Sequence, residues 1–303
     1  ANPAVLTVDS TLPLESKLNT LLNLVALSGN VNVIDYFGAT YDASADRHVL
    51  VYMDNENSAH TYAKTYSVSG TNVVTNTCTQ ALNSTGYDME QPDVIYDSNA
   101  EKCLLVYKAG QNGNDLRCRV LTIGATTVSI GSEVTIDDDN NTGTDINLCY
   151  DTTNSKIIVF TRDQSNSNYP TAYVGSISGT TPSFGSAQVV QSEGATSSIG
   201  CAFGNDKFLF VYEDSNTADG QSIVATISGS TLSFGTKVEF EDDNPATWMA
   251  KNNVVCYDSA TDKFVVAYSH SGAGDPMIIK ACSVSGTTPT WGGETGNSDV
   301  DGE

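Results

Sequence analysis

Runs of carboxylates are the first residues in this chain that suggest chemistry. Asp137, Asp138 and Asp139 are consecutive, Asp145 follows closely, and residues 241–243 form a second acidic run. Carboxylate oxygens are the hard ligands that Ca²⁺ prefers. Neither run has the alternating acidic spacing and central glycine of a dedicated calcium loop. A solvated charge run is therefore the first interpretation, and a Ca²⁺ site formed by Asp137, Asp138, Asp139 and Asp145 is the alternative.

Three aspartates near the starts of predicted strands are the only candidates for acid–base catalysis. They are Asp35, Asp93 and Asp145, and they stand six, three and five residues before the next Tyr of a Tyr-Asp pair. A glycosidase needs two carboxylates at a separation set by its mechanism. Unequal offsets argue against one shared ring, the histidines show no metal spacing, and no serine or cysteine lies in a nucleophile motif. We predict no catalytic residue and keep a glycosidase as an alternative.

Aromatic residues in the predicted loops are candidates for ligand contact. Tyr87, Tyr169 and Trp248 lie in polar segments between apolar runs. Such rings stack on sugars or contact proteins, because they present a large apolar face beside a polar group. The alternative is that they shield the ends of the apolar cores. We predict these three residues as the ligand-binding set.

The elements that would hold these residues repeat five times along the chain, at a spacing of 51 to 56 residues. Each unit carries a Tyr-Asp pair, a short polar turn, a basic residue and an apolar run, although the fourth unit lacks the pair. The basic residues are Arg47, Lys102, Lys156, Lys207 and Lys263. A repeat of this length indicates one supersecondary unit used several times.

The runs within each unit are short, β-branched or aromatic, and bounded by turn residues, which is typical of strands. Four such strands in about 50 residues match a propeller blade better than a sandwich. We therefore predict an all-β fold, a five-bladed β-propeller of four-stranded antiparallel blades. The blades are expected at approximately 36–90, 91–144, 145–197, 198–251 and 252–303.

The first 35 residues do not repeat and form a separate N-terminal part. The fifth unit ends in residues 292–297, which alternate poorly, whereas residues 4–9 copy the outer-strand pattern of the second unit. We expect residues 4–9 to complete the fifth blade and lock the ring, which removes an exposed edge. Leucines at helical spacing behind Pro13 predict a short helix over residues 12–28. It caps the ring or, alternatively, docks a partner.

The composition limits the partners. The formal net charge is −22 with only 14 basic residues, so nucleic acid is excluded as a partner, because phosphate binding needs basic clusters. No segment is long and apolar enough for membrane insertion. An acidic surface rich in Ser, Thr and Asn suits an extracellular setting.

Seven cysteines are expected to be mostly buried core residues. Cys149, Cys201 and Cys256 are predicted at the same position of three blades, too far apart to bridge. Cys103 and Cys118 are expected to face each other across one hairpin. They form either a disulfide or two buried thiols.

The repeat also resembles a known class of proteins. Residues 150–185 and 257–292 both read Tyr-Asp, turn, Lys, apolar run and then Ser-Gly-Thr-Thr before an aromatic residue and Gly. This is similar to the β-propeller-like repeats of bacteriophage and marine viral structural proteins, often tail-fibre or virion-surface components, and the match spans roughly 36–292. The related Asp-box of sialidases is not matched, because its Asp is missing. The resemblance implies a repeat type and assigns no site residue.

These observations predict a non-enzymatic structural or adhesion module at a virion surface or in another extracellular assembly. Its expected partners are other proteins of that assembly and a host-surface protein or glycan bound through the loops. A free-standing glycan-binding lectin and a propeller glycosidase are the alternatives. Beyond a bound Ca²⁺, no cofactor is expected.

Overall fold

The computed structural model of this chain is all-β. It describes residues 34–54, 60–69, 72–83, 89–110, 113–139, 144–241, 254–269, 277–293 and 295–296. These residues form five antiparallel sheets, and no α-helix occurs among them. The predicted helix over residues 12–28 and the predicted strand over residues 4–9 lie outside the described residues. Nor does the described part contain a helix with the length and apolar character needed to cross a bilayer.

Each sheet is built from consecutive strands of one repeat. The first sheet contains β1 (Ile34–Asp42), β2 (Arg47–Asp54), β3 (His60–Ser69) and β4 (Asn72–Ala81). The second contains β5 (Glu90–Asp97), β6 (Lys102–Ala109), β7 (Asp115–Ile123), β8 (Val128–Ile130) and β9 (Val134–Asp137). The third contains β10 (Thr144–Asp151), β11 (Lys156–Asp163), β12 (Tyr169–Ser178), β13 (Thr181–Phe184) and β14 (Gln188–Val189).

The last two sheets repeat this order. The fourth contains β15 (Ala195–Gly204), β16 (Lys207–Asp214), β17 (Gly220–Ser228), β18 (Thr231–Phe234) and β19 (Val238–Glu241). The fifth contains β20 (Val254–Asp258), β21 (Lys263–Ser269), β22 (Met277–Ser285), β23 (Thr288–Trp291) and β24 (Thr295–Gly296).

In sheets two to five the outer strand is split into two pieces that pair with the same third strand. In the third sheet, β13 pairs with the second half of β12, and β14 pairs with its first half. In the fifth sheet, β24 pairs with Ile278 and Ile279 of β22. The expectation that the fifth unit lacks its last strand is therefore wrong. An edge strand pairs through its backbone, so Thr295 and Gly296 need no side-chain alternation.

The apolar core lies between consecutive sheets. On β6, Leu105 and Tyr107 pack toward the first sheet, whereas Leu104 and Val106 pack toward the third. Second strands read as continuous apolar runs because both of their faces are covered. The first strand of each sheet contacts the first strand of the next, from β1 to β20. This order is consistent with the predicted five-bladed propeller.

The Tyr-Asp pairs have a structural explanation at the turn between the first and second strands. Asp151 is buried, and its Oδ1 accepts hydrogen bonds from the backbone N–H groups of Thr153 and Asn154, at 2.8 and 2.9 Å. Asp42, Asp97 and Asp258 accept equivalent bonds in their own turns. The Tyr150 hydroxyl donates to Asp97 of the preceding sheet at 2.8 Å. The repeated pair therefore closes a turn and can link it to its neighbour.

The fourth unit lacks the pair because its turn is two residues shorter. Gly204 pairs directly with Lys207, and the two residues between them, Asn205 and Asp206, both have positive φ. A two-residue loop of this kind suits Asn and Asp. A side chain at Gly204 would meet the ring of Tyr257 at about 2 Å. Glycine is needed there because the next sheet packs its tyrosine ring against the backbone.

The cysteine predictions need two corrections. Cys118 pairs with Val106 rather than with Cys103, and the two cysteines belong to cores on opposite faces of the second sheet, so both remain free. Cys201 is one register position away from Cys149, because the shorter turn shifts the fourth unit. These two buried cysteines belong to one core cluster, and a hydrogen bond joins their thiols. Burial raises the pKa of the Cys201 thiol well above its usual value.

Candidate functional site

A recurring group of three polar side chains lies between consecutive sheets, and each such position is here called a cleft. Each group, here called a trio, consists of a tyrosine from a second strand, a carboxylate that accepts its hydroxyl hydrogen bond, and a cation paired with that carboxylate. Each tyrosine, Tyr107, Tyr212 or Tyr268, belongs to the core that its sheet shares with the preceding sheet, so each trio lies on that side of its sheet.

The trio of the second sheet is built on β6, β7 and the connection between β8 and β9, and it has two cations. The Tyr107 hydroxyl donates to Glu133, which also forms ion pairs with Arg117 at 2.6 Å and Arg119 at 3.3 Å. Arg117 pairs in addition with Asp115 at 2.8 Å. Partial burial acts to raise the pKa of Glu133, but hydrogen bonds from Tyr107 and Arg117 leave it lowered. Burial and the bond to Glu133 raise the pKa of Tyr107. The pair is therefore a phenol and a carboxylate at neutral pH.

The trio of the fourth sheet takes its carboxylate from the connection that follows the third. The Tyr212 hydroxyl donates to Glu193 Oε1 at 2.5 Å, and Lys237 Nζ donates to both Glu193 oxygens at 2.8 and 2.7 Å. Burial first, and then the bond to Glu193, raises the pKa of Tyr212. The Glu193 side chain is 18% exposed and that of Lys237 31%, so solvent reaches both charges.

The trio of the fifth sheet takes its carboxylate from the outer strand of the fourth. The Tyr268 hydroxyl and Lys280 Nζ each donate to Glu241 Oε2 at 2.5 Å. Lys280 also donates to the Phe240 carbonyl at 2.7 Å. This trio is less exposed than that of the fourth sheet, at 13% for Lys280 and 12% for Glu241.

The third sheet differs from the second, fourth and fifth sheets at the position of the trio tyrosine. Its register places Thr161 where the second sheet has Tyr107, since each is the sixth residue of its second strand. Tyr173 of the neighbouring strand donates instead to Asp137 at 2.8 Å. No ion pair to Asp137 is found among the described residues. In the described part of the chain, the cleft between the second and third sheets therefore holds no trio.

The first strands use polar side chains to join neighbouring sheets. Asp93 accepts hydrogen bonds from the backbone N–H groups of Val94 and of Leu148 in the next sheet. Asn147 stands at the same position of the third sheet and accepts from Cys201 N at 2.8 Å. Desolvation raises the pKa of Asp93 to about 7. The residue equivalent to Asp93 is thus Asn147 rather than Asp145, and both side chains link sheets.

Asp145 has a different role. Its φ is positive, its N–H donates to Gln91 Oε1 at 3.0 Å, and its carboxylate pairs with Arg162 at 2.9 Å. Desolvation raises the pKa of Asp145, and Arg162 opposes that rise. The side chain of Asp35 lies outside the described residues, so the structure places two of the three candidate aspartates and gives each a structural partner.

The predicted metal group is brought together in part. Oxygens of Asp137, Asp138 and Asp139 lie within 4.8 Å of one another, whereas Asp145 is bound to Arg162 and is not in this group. The Asp137 carboxylate already accepts hydrogen bonds from Tyr173 and from the N–H of Asp139. A calcium site stays a prediction.

The predicted aromatic set cannot be placed as a group. Tyr169 begins β12, is half-buried, and donates its N–H to the Asn166 carbonyl at 3.0 Å. Tyr87 and Trp248 lie outside the described residues.

Sequence reasoning missed the trios because their members come from different strands and, in two cases, from different repeats. A signal was present: Tyr107, Tyr212 and Tyr268 share the sixth position of their apolar runs. A hydroxyl recurring at one buried position needs a partner. That signal could have found the tyrosines, although not which glutamate each one meets.

Comparison with known proteins adds information on the fold. No protein-family model matches the sequence, and no curated protein matches it. Solved structures do match. A protein from Lactobacillus plantarum is 12% identical with a TM-score of 0.57, over 86% of this chain and 70% of that chain. A mutant of AofleA from Arthrobotrys oligospora is 10% identical with a TM-score of 0.53, over the same shares. A mutant of Aleuria aurantia lectin in complex with alpha-methyl-L-fucoside is 10% identical with a TM-score of 0.48, over 88% of this chain and 78% of that chain.

At these identities the matches show the fold alone. The two matches with TM-scores of 0.57 and 0.53 agree with the propeller interpretation of the five antiparallel sheets. They give no support to the viral part of the resemblance seen in the repeats.

Proposed function

We propose that this chain is a non-enzymatic β-propeller that binds neutral glycans in the clefts between its sheets. The observation that carries the proposal is the recurrence of a partly exposed trio in three clefts. A carboxylate accepts hydrogen bonds from sugar hydroxyls, a cation donates to them, and the tyrosine holds the carboxylate in place.

The charge of the molecule favours neutral ligands. With a net charge of −22, the surface repels sulfated or sialylated chains, and each cation in a trio is already balanced by its carboxylate. Polyhydroxylated neutral ligands carry no such penalty.

A glycan array that includes neutral and acidic glycans tests the proposal on the full chain. We expect binding to neutral glycans, and calorimetry with the best one should show Glu193→Gln and Lys237→Met each lowering the stoichiometry by one site. Glu90→Gln is the matched control, because Glu90 pairs with Lys108 at 2.6 Å in a carboxylate–cation pair outside the trios. An array without binding, or only to acidic glycans, would contradict the proposal.

A glycoside hydrolase is the second candidate, favoured by one observation. The pKa of Asp93 is about 7, a value that suits a proton donor at neutral pH. Its hydrogen bonds to two neighbouring first strands oppose this role. Chromogenic glycosides test it: hydrolysis that disappears in Asp93→Asn, with the fold intact, would favour the enzyme, and no hydrolysis of any substrate would favour the binding module.

A further inference from the structure

The fifth and first sheets expose apolar side chains that the other sheets bury. On the fifth sheet, Val254 and Met277 are 51% exposed and Ile279 is 40% exposed. On the first sheet, Tyr36 is 42% and Phe37 is 55% exposed. Large apolar side chains that are exposed together on the first and the last sheet indicate a surface that another segment or molecule covers.

The fourth sheet shows what an equivalent face looks like when it is covered. Its Leu209, Val211 and Val224 are 0% exposed, because they pack in the core shared with the fifth sheet. Val211 and Ala267 occupy equivalent positions, since each is the fifth residue of its second strand and pairs with the third strand of its own sheet. Ala267 is only half-buried, and its partner Ile279 is exposed.

The described residues contain one core cluster for each consecutive pair of sheets. These clusters join the first sheet to the second, the second to the third, the third to the fourth and the fourth to the fifth. None of the four joins the fifth sheet to the first. Strand register places Phe37 of the first sheet, and Val254, Met277 and Ile279 of the fifth, on the faces turned away from these clusters. These two faces, which an additional contact would bring together, are here called the seam.

We propose that residues 1–33 of this chain cover the seam. This segment ends directly before β1, beside exposed Tyr36 and Phe37. It contains eight leucines and only three charged residues, an apolar content that water would not favour. A second copy of the chain is a weaker candidate, because two molecules with a charge of −22 repel each other.

Hydrogen–deuterium exchange of the 303-residue chain, read by mass spectrometry, tests this assignment. Peptides from residues 1–33 should exchange at least tenfold more slowly than an unstructured chain of the same sequence, because covered backbone opens rarely. The double variant Met277→Glu with Ile279→Glu should remove that protection. Peptides from β16 should keep theirs, which shows that the rest of the protein is folded.

Thr231→Glu is the matched control, since Thr231 is an exposed strand residue on the outer edge of the fourth sheet. It should leave the exchange of residues 1–33 unchanged. Exchange of residues 1–33 at the unstructured rate in the unsubstituted protein would overturn the proposal. So would a dimer in sedimentation experiments that the double variant converts to a monomer, because a second copy would then cover the seam.

Discussion

Two regions of the molecule use the same residue types for different purposes. They are the turns between first and second strands and the clefts between sheets. In the turns, an aspartate is repeated with the same partners, as Asp42, Asp97 and Asp151 show. In the clefts, each carboxylate comes from a different place: Glu133 from its own sheet, Glu193 from the preceding connection. Residues that recur with the same partners stabilise the fold. Residues that recur with different partners can give each cleft its own binding properties.

The largest effect is expected in the turns. Asp151→Ala leaves the N–H groups of Thr153 and Asn154 without their acceptor in a buried turn. We expect a loss of about 2–4 kcal/mol in the free energy of unfolding. Urea titration measures it. Asp151→Asn, which keeps one acceptor oxygen, should cost less, and equal losses for both variants would contradict the turn explanation.

A pH-dependent effect is expected at the links between first strands. The pKa of Asp93 is raised from 3.8 to about 7 in the fold, so its contribution to stability is complete below about pH 4 and is lost as the pH rises through 7. Asp93→Asn should remove this loss and be more stable than the unsubstituted chain at pH 8, where the buried carboxyl group has to ionise. Urea unfolding at pH 5 and pH 8 measures the difference.

Asn147→Asp is the matched variant in the opposite direction, because Asn147 occupies the equivalent position. It should introduce the pH dependence that Asp93→Asn removes. If both variants keep the pH profile of the unsubstituted chain, Asp93 is not the group that titrates.

A smaller effect is expected at the outer hairpins. Gly229 has φ of +63° in the Ser-Gly-Ser-Thr turn, so Gly229→Ala forces a side chain into the left-handed region. We expect a loss of about 1 kcal/mol. Gly185→Ala is the control: no positive φ is found there, and an added Cβ would lie 3.8 Å from its nearest neighbour. Thermal unfolding should rank the two variants in this order.

The sequence predicted the sheets well because the repeat and the apolar runs are local signals. It failed where one unit departs from the pattern: the short turn at Gly204 shifts Cys201 by one register position. It also named Asp93 and Asp145 together as catalytic candidates, although they are not equivalent: register equates Asp93 with Asn147. The trios escaped prediction because Tyr268 and Glu241 meet across two sheets, and no local pattern specifies such a contact.

The measurement that tests the central claim most directly compares binding and stability in one variant of a cleft. Glu193→Gln together with Lys237→Met removes both charges of the fourth-sheet trio. Partly exposed ion pairs contribute little to stability, so the free energy of unfolding should change by less than about 1 kcal/mol. Calorimetry should show one glycan site fewer. A large loss of stability with glycan binding unchanged would show that the trios hold the sheets together and do not bind ligand.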